Sequence, residues 1–390
     1  MAKRSNGEGS VRKSGNSWIA KVQIGWLPNG HPKIKSFSAP TRKGALERMD
    51  NYLKSFNECE LDDTTISDGM KYWLETFKSI ELKDSSYNRL EITVNNNIIP
   101  YIGDYMTKEL NSSVIQTQMI NALIDEGKSY STIKKAYFAL NAYYKKLLST
   151  GKAERNPMLG VTLPAQSKFK RKNIRALTKD EQDRFIRQAV SKFANGADRY
   201  RYGRAYVFMM FTGLRCSEML GLTWRNIDLV NNIAVVKQSL VTVKNRETDI
   251  DDKYVVKLQD STKTQAGIRE IPLCNQAVEA ITAYKEKYYN GNPDDYVITT
   301  AKNKPLKTRH FERSANYIFN AAGIEASEVH IFRHTFASIL FEKNVDIKLI
   351  SSLLGHSDVS TTYNIYVHLT GNQRKEAINA IDKINAINEI

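Results

Sequence analysis

The chain is poor in the features that mark secreted, membrane-bound and metal-bound proteins. It has 3 cysteines in 390 residues, namely Cys59, Cys216 and Cys274. They are odd in number and far apart, so neither a disulfide framework nor a zinc ligand pair is readable, and a reducing cytoplasm is the expected setting. No apolar run approaches the roughly 18–20 residues of a membrane-spanning helix, so no membrane contact is expected. The first residues, Met1-Ala2-Lys3-Arg4-Ser5-Asn6-Gly7, are polar without an apolar core, which argues against a secretory signal. Negative charge is also short: 42 Asp and Glu face 57 Lys and Arg, a formal net charge of +15. That excess points to a polyanion as partner, and nucleic acid is the commonest one. The alternative is a protein that is basic without consequence. Hydrophobic residues make up 41% of the chain, enough to bury cores and exclude global disorder. The length suits two or three domains.

Residues 1–57 predict a small sheet on one helix. The run Ser10-Val11-Arg12-Lys13 is followed by a strand in which Trp18, Ala20, Val22 and Ile24 alternate with other residues. Pro28-Asn29-Gly30 marks a turn, and Lys33-Ile34-Lys35-Ser36-Phe37-Ser38 returns. Thr41 is placed as the N-cap of a helix through Ala45, Leu46, Met49, Tyr52 and Leu53. Such a unit is too small for an enzyme pocket. Its strands carry Arg12, Lys13, Lys21, Lys33 and Lys35, and a twisted basic sheet suits a DNA major groove. A solubilising appendage is the other reading.

Residues 62–165 read as all-helical. One helix opens at Thr64-Thr65 and carries Met70, Trp73, Leu74 and Phe77. A second starts near Ser85-Ser86, with Pro100 and Gly103 at its end. A short third starts at Asn111. A fourth is capped by Ser129 and stopped by Gly151. Lys134, Lys135, Lys145 and Lys146 decorate it, either to follow a phosphate backbone or as an ordinary solvated surface. The polar, Lys-rich stretch from Pro164 to Arg175 is read as an interdomain linker.

Residues 175–390 hold the chemistry-bearing types. Thr178 and Glu181 form a capping-box pattern. The buried run Tyr206-Val207-Phe208-Met209-Met210-Phe211 ends at Thr212-Gly213, and Arg215 follows at a core edge, where a guanidinium needs an anionic partner. Glu218 is one candidate, which would make the pair purely internal. Residues 227–273 read as sheet, closing in a hairpin with its turn at Gly267 and Lys263 near the tip. A lysine there is either merely solvated or, with a phosphate near, an acid. His330, Arg333 and His334 share one helical face. His-x-x-x-His spacing also occurs in zinc sites, but no third ligand or general-base Glu accompanies it, so no metal is expected. His334 is placed as a buried or supporting residue. Gly355 ends a helix and leaves His356 free to point at a ligand, and Ser360-Thr361-Thr362 starts a helix carrying Tyr363 and Tyr366. Cations to hold a phosphate, histidines to move a proton and a tyrosine to attack suit work on a phosphodiester.

In order, the chain shows Thr212-Gly213-Leu214-Arg215-Cys216-Ser217-Glu218, the hairpin Lys263, His330-Ile331-Phe332-Arg333-His334-Thr335-Phe336-Ala337, Leu353-Leu354-Gly355-His356 and Tyr366-Val367-His368. This set resembles the tyrosine recombinase (phage integrase) family, in particular the integrases of Gram-positive conjugative transposons and temperate phages. The Gly-Ser-Val-Arg-Lys and Trp-Ile-Ala-Lys pattern at residues 9–21 resembles their arm-binding domains. Ile99-Pro100-Tyr101-Ile102-Gly103 and Arg155-Asn156-Pro157 resemble their core-binding domain. The resemblance implies a multidomain chain: a sheet-plus-helix arm-binding domain over 1–57, an all-α core-binding domain over 62–165, and a mainly-α catalytic domain with a small antiparallel sheet over 175–390.

It places Arg215, Lys263, His330, Arg333, His356 and Tyr366 at the six catalytic positions. It favours Tyr366 over Tyr363 through the following Tyr-x-His. It implies a 3′-phosphotyrosine intermediate without cofactor, metal or ATP. It also implies a homotetramer that passes through a Holliday junction on double-stranded core-type and arm-type DNA sites. A host DNA-bending protein and an element-encoded excisionase are the accessory partners it suggests. Ile378, Ile381, Ile384, Ile387 and Ile390 form an apolar stripe in the tail (residues 371–390), suited to docking on its own domain or on a neighbour. Two rivals share parts of this pattern: a type IB topoisomerase-like enzyme and a non-catalytic architectural or regulatory DNA-binding protein.

Overall fold

The computed structural model describes residues 10–15, 17–26, 32–57, 64–170, 175–246, 253–260, 268–325 and 328–363. The chain forms two compact units that meet in sequence at Lys170 and Arg171.

In the first unit, Ser10–Ser14, Ser17–Trp26 and Pro32–Ala39 form an antiparallel sheet in chain order. Strand alternation puts Ala20 and Val22 inward, against Ala45 and Met49 of the helix Arg42–Asn57. Thr41 caps that helix, its hydroxyl accepting the Gly44 amide at 3.1 Å. This agrees with the alternation and the cap residue seen in the sequence.

The helical part of the unit starts at Ile66–Trp73, with the Thr65 hydroxyl accepting the Asp68 amide. The helix widens to a π-helical turn over Leu74–Lys78 and ends at Glu81. The helix Asp84–Asn97 stops before Pro100: Ile98 breaks it, and Pro100 lies in the first turn of a second short helix, Ile99–Ile102. A proline there loses no helical hydrogen bond, so the stretch expected to end a helix starts one. The helix expected to be short at Asn111 runs on through a π-helical segment, Ile115–Asn121, to Asp125. Tyr130–Ser149 is capped by Ser129 as expected. Met70, Trp73, Ile115, Met119, Leu140 and Tyr143 join in one core. Cations decorate the rim over aromatic faces: Lys146 Nζ lies 4.1 Å from the Phe77 ring centre, and Lys78 Nζ 5.2 Å from that of Trp73. Phe169 packs on Tyr130 at 5.7 Å, so the start of the expected linker belongs to this core.

The second unit opens with Lys179–Ala189, which shows the reciprocal capping box of Thr178 and Glu181. The helix Gly203–Thr212 is buried on nearly every side. The sheet region divides in two. Ile227–Asp228, Ile233–Val236 and Arg269–Pro272 form one antiparallel sheet, while Gln238–Lys244 pairs with Tyr254–Asp260 in another. The returning half of the expected hairpin therefore lies along Ile233–Val236, with Arg269 opposite Val236. Its outgoing half, including Lys263, lies outside the described residues. The helices Asn275–Tyr288, Thr308–Ala321, Ile331–Glu342 and Ile347–Leu354 follow. Phe332 stacks on Phe319 at 5.4 Å and meets Phe185 at 4.9 Å, which anchors the turn of helix that carries Arg333. Among the described residues no helix is long and apolar enough to cross a membrane.

Candidate active site

Two glycine turns build the site. Gly213 ends one helix at φ +65° and Gly355 ends another at φ +66°, conformations that L side chains avoid. A Cβ on Gly213 would come 2.5 Å from Phe336 Cδ1, and one on Gly355 would come 2.9 Å from Arg269 Nη1. Each turn leaves helix-end carbonyls without amide partners, and arginines take them. Arg333 Nη1 donates to Gly213 O at 2.8 Å and Nη2 to Leu354 O at 2.5 Å. Arg215 Nη2 donates to Gly355 O at 3.0 Å, and Arg269 Nε to Leu353 O at 2.7 Å. Three guanidiniums thus converge on the C-terminal end of Ile347–Leu354, where the helix dipole favours positive charge.

One carboxylate offsets part of that charge. Glu218 Oε1 accepts from Arg215 Nη1 at 2.6 Å and Arg269 Nη1 at 3.1 Å. Its Oε2 accepts from Arg269 Nη2 at 2.7 Å and from the Arg215 amide at 2.9 Å. Burial alone would push this carboxyl up, but the hydrogen bonds and charge of Arg269, with the charge of Arg215, hold it down at about 2. The internal Arg215–Glu218 pair is therefore real, yet it leaves a positive excess.

Arg333 is 1% exposed, and its Nε has no hydrogen-bond partner among the described residues. Burial, then the charge of Arg215, lowers its pKa to about 9, so it stays a cation at neutral pH. Arg215 is more open, with 34% of its side chain exposed.

Two imidazoles flank the guanidiniums. His330 is the residue before the helix Ile331–Glu342, and its ring meets His334 edge-on at 4.8 Å. Desolvation, then Arg333 and Arg215, lower its pKa below the ordinary value. His356 follows Gly355, with its amide donating to Ser351 O at 3.0 Å. Its ring Nδ1 lies 2.8 Å from Thr362 Oγ1. Burial, then Arg333 and Arg215, push its pKa down to about 3. Both rings are neutral at pH 7, so His330 can accept a proton and His356 can give a hydrogen bond without carrying charge.

The structure thus brings Arg215, His330, Arg333 and His356 together. Lys263 and Tyr366 lie outside the described residues, as does the apolar tail stripe. Tyr363 is described and 54% exposed. Among the described residues no group of three or more His, Cys, Asp or Glu could hold a metal ion. Arg269 escaped the reading of the sequence. Its signal was faint but physical: it is two residues before Ile271 on a strand whose burial alternates, so an arginine shares the inward face with isoleucine.

Comparison with known proteins gives the family and the fold. Residues 175–373 match the phage integrase family, and residues 65–124 match the phage integrase N-terminal SAM-like domain. A tyrosine recombinase XerC-like protein of Caldanaerobacter subterraneus is 26% identical, over 98% of this chain and 100% of that protein. The ICEBs1 integrase of Bacillus subtilis is 25% identical, over 96% of this chain and 100% of that protein. The Tn1549 transposon integrase, solved with a circular-intermediate DNA, has a similar fold: TM-score 0.63 at 18% identity, over 82% of this chain and 99% of that one. With more than half of its length matched by the family and its motifs gathered around one cluster of arginines, the chain belongs to the phage integrase family and is a tyrosine recombinase.

Proposed function

We propose that the cluster cradles a single DNA phosphate and that Tyr366 attacks it, in a site-specific recombinase of a mobile element. The observation that carries this reading is the convergence of Arg215 and Arg333, anchored on two glycine turns, beside two neutral imidazoles. Phosphoryl transfer needs fixed positive charge around the non-bridging oxygens and an in-line nucleophile. Arg215 and Arg333 supply the charge, and His356 adds a neutral donor. His330 takes the phenolic proton as the Tyr366 oxygen bonds to phosphorus. The bond from phosphorus to the 5′-oxygen breaks, and Lys263 protonates that oxygen. The products are a 3′-phosphotyrosine and a free 5′-hydroxyl. Attack by a partner strand's 5′-hydroxyl reverses the step, so phosphodiester energy is conserved.

In this reading residues 1–57 bind arm-type DNA, 62–165 grip core-type DNA and 175–390 cut. Two sites on one chain make binding bivalent. Four copies act together through a Holliday junction, the tail at 371–390 docking between them, in the cytoplasm and with a DNA-bending protein and an excisionase as helpers. The solved relatives bound to DNA, among them a lambda integrase dimer on a core site, support the choice of partner.

The test is a nicked suicide duplex carrying the junction between the element and its host DNA. The full chain should give a denaturant-stable protein–DNA adduct, and Tyr366→Phe should give none. No adduct from the wild type would sink the enzymatic reading in favour of an architectural protein. An adduct that survives Tyr366→Phe would move the nucleophile to Tyr363. Relaxation of supercoiled DNA lacking the junction would favour the topoisomerase-like rival.

A further inference from the structure

A neutral imidazole has one nitrogen that donates and one that accepts. Which is which decides whether His356 can serve an anion. Burial, then the positive neighbours Arg333, Arg215 and Arg269, oppose a second proton on the ring, so protonation does not supply a second donor. The ring's proton must therefore be on the nitrogen that faces the phosphate, and some group must hold the other nitrogen as acceptor.

Thr362 is that group. Thr362 is 0% exposed, and its hydroxyl lies 2.8 Å from His356 Nδ1. A threonine on a fully buried face needs a partner for its hydroxyl, or that group costs stability. The backbone of His356 is already set by the left-handed Gly355 and by its amide bond to Ser351 O, which leaves only the side-chain torsions to be fixed. Thr362 belongs to a helical segment at residues 359–363 that starts on Asp358, whose Oδ1 accepts the Ser360 amide at 2.8 Å. Tyr363 is its next residue, and Tyr366 follows four positions on.

We infer that Thr362 is a positioning residue for His356: its hydroxyl donates to Nδ1, holds the ring as the Nε2–H tautomer, and ties that ring's orientation to the segment leading to the tyrosine. The choice of tautomer and its phosphate-binding consequence both rest on the proposed function, but the tautomer can be read without DNA. With the reverse tautomer, Nε2 would turn a lone pair toward a phosphate oxygen and repel it. The direction of the donor then depends on the helical segment at residues 359–363 staying packed beside His356.

The test uses the full chain labelled with ¹⁵N-histidine at neutral pH without DNA, with His356 assigned by its loss in His356→Gln. The wild type should show His356 Nδ1 at a pyridine-like shift and Nε2 at a pyrrole-like, protonated one. Thr362→Ser, which keeps the hydroxyl, should retain those shifts, and Thr362→Val, which keeps the shape, should give a tautomer mixture. A protonated Nδ1 in the wild type would overturn the proposal, and so would unchanged shifts in Thr362→Val. The wild-type spectrum decides the point even should the valine variant fail to fold.

On the nicked junction duplex, Thr362→Val should slow adduct formation roughly tenfold, the scale of one ordinary hydrogen bond. In a His356→Gln background the same change should add less than about twofold, because the ring it positions is gone. Equal slowing in both backgrounds would make Thr362 merely structural. Absence of any wild-type adduct would instead refute the proposed function and leave the tautomer result standing.

Discussion

The two compact units handle positive charge in opposite ways. In the first, lysines ride on the outside: Lys146 lies 4.1 Å over Phe77, and Lys134 lies 5.9 Å from both Tyr130 and Phe138. In the second, guanidiniums go inside: Arg333 is 1% exposed and Arg269 8%. An exposed lysine is mobile and screened by salt, and it attracts any phosphate chain about equally. A guanidinium bonded to carbonyls at fixed distances cannot relax, so it favours one phosphate in one place. Burying it costs solvation, which the helix-end carbonyls and Glu218 offset. The first pattern suits adhesion and the second suits chemistry.

The sharpest way to break this contrast is Arg333→Ala. Adduct formation on the nicked duplex should fall about 10²–10³-fold, the scale for losing one preorganised donor. The carbonyls of Gly213 and Leu354 would each lose a partner at about 1–3 kcal/mol apiece, so the urea midpoint should fall as well. Adhesion to DNA, measured by mobility shift at low salt, should barely change. A variant that still cuts at the wild-type rate would refute the division of labour.

Next in size is Glu218→Gln. Removing one member of a buried ion cluster costs about 3–5 kcal/mol, read from urea unfolding at pH 7. The sign with pH follows from the folded carboxyl being held down at about 2. Its contribution is full above the ordinary value of 4.5 and is lost as the pH falls toward about 2, so the gap between wild type and variant should narrow with acid across that window.

His356 gives a smaller, separable signal of its own. Its folded pKa is pushed down to about 3, so between pH 6.5 and about 3 the unfolded chain takes up a proton that the folded ring refuses. Stability should fall through that range on acidification, and His356→Gln should flatten this part of the curve. The smallest effect belongs to the outside cations. Lys146→Ala should cost less than about 1 kcal/mol of stability and lower the salt slope of DNA binding by about one unit. A cutting defect at saturating DNA would show that the adhesive face has a catalytic part.

Much of this was legible in the residues. Local patterns found the small sheet, the caps at Thr41, Ser129 and Thr178, the helix start at Thr64-Thr65, and the turns at Gly213 and Gly355. The grouping of Arg215, His330, Arg333 and His356 was legible through the ordered motifs that carry the family resemblance, whereas local patterns placed each only near a helix end. What escaped depends on distance along the chain. Arg269 meets Glu218 from 51 residues away and Leu353 O from 84, and no local pattern encodes such a meeting. The pairing of Ile233–Val236 with Arg269–Pro272 skips over another strand pair, whereas a local reading favours the nearest hairpin. The π-helical turns at Leu74–Lys78 and Ile115–Asn121 lengthen the hydrogen-bond span from four residues to five over only 5 and 7 residues, too briefly to show in the apolar spacing.

The bond from Arg215 to Gly355 O spans 140 residues, which at about 5–20 residues per second amounts to roughly 7–30 s of synthesis. The helices of the first unit leave the ribosome complete before Gly355 has been made. A growing chain, or one broken off upstream of that glycine, carries the adhesive lysines without a finished cradle. Under the roles proposed for the two units, the order of the sequence acts as a safety catch: the lysines that would hold DNA are made before the cradle that would cut it.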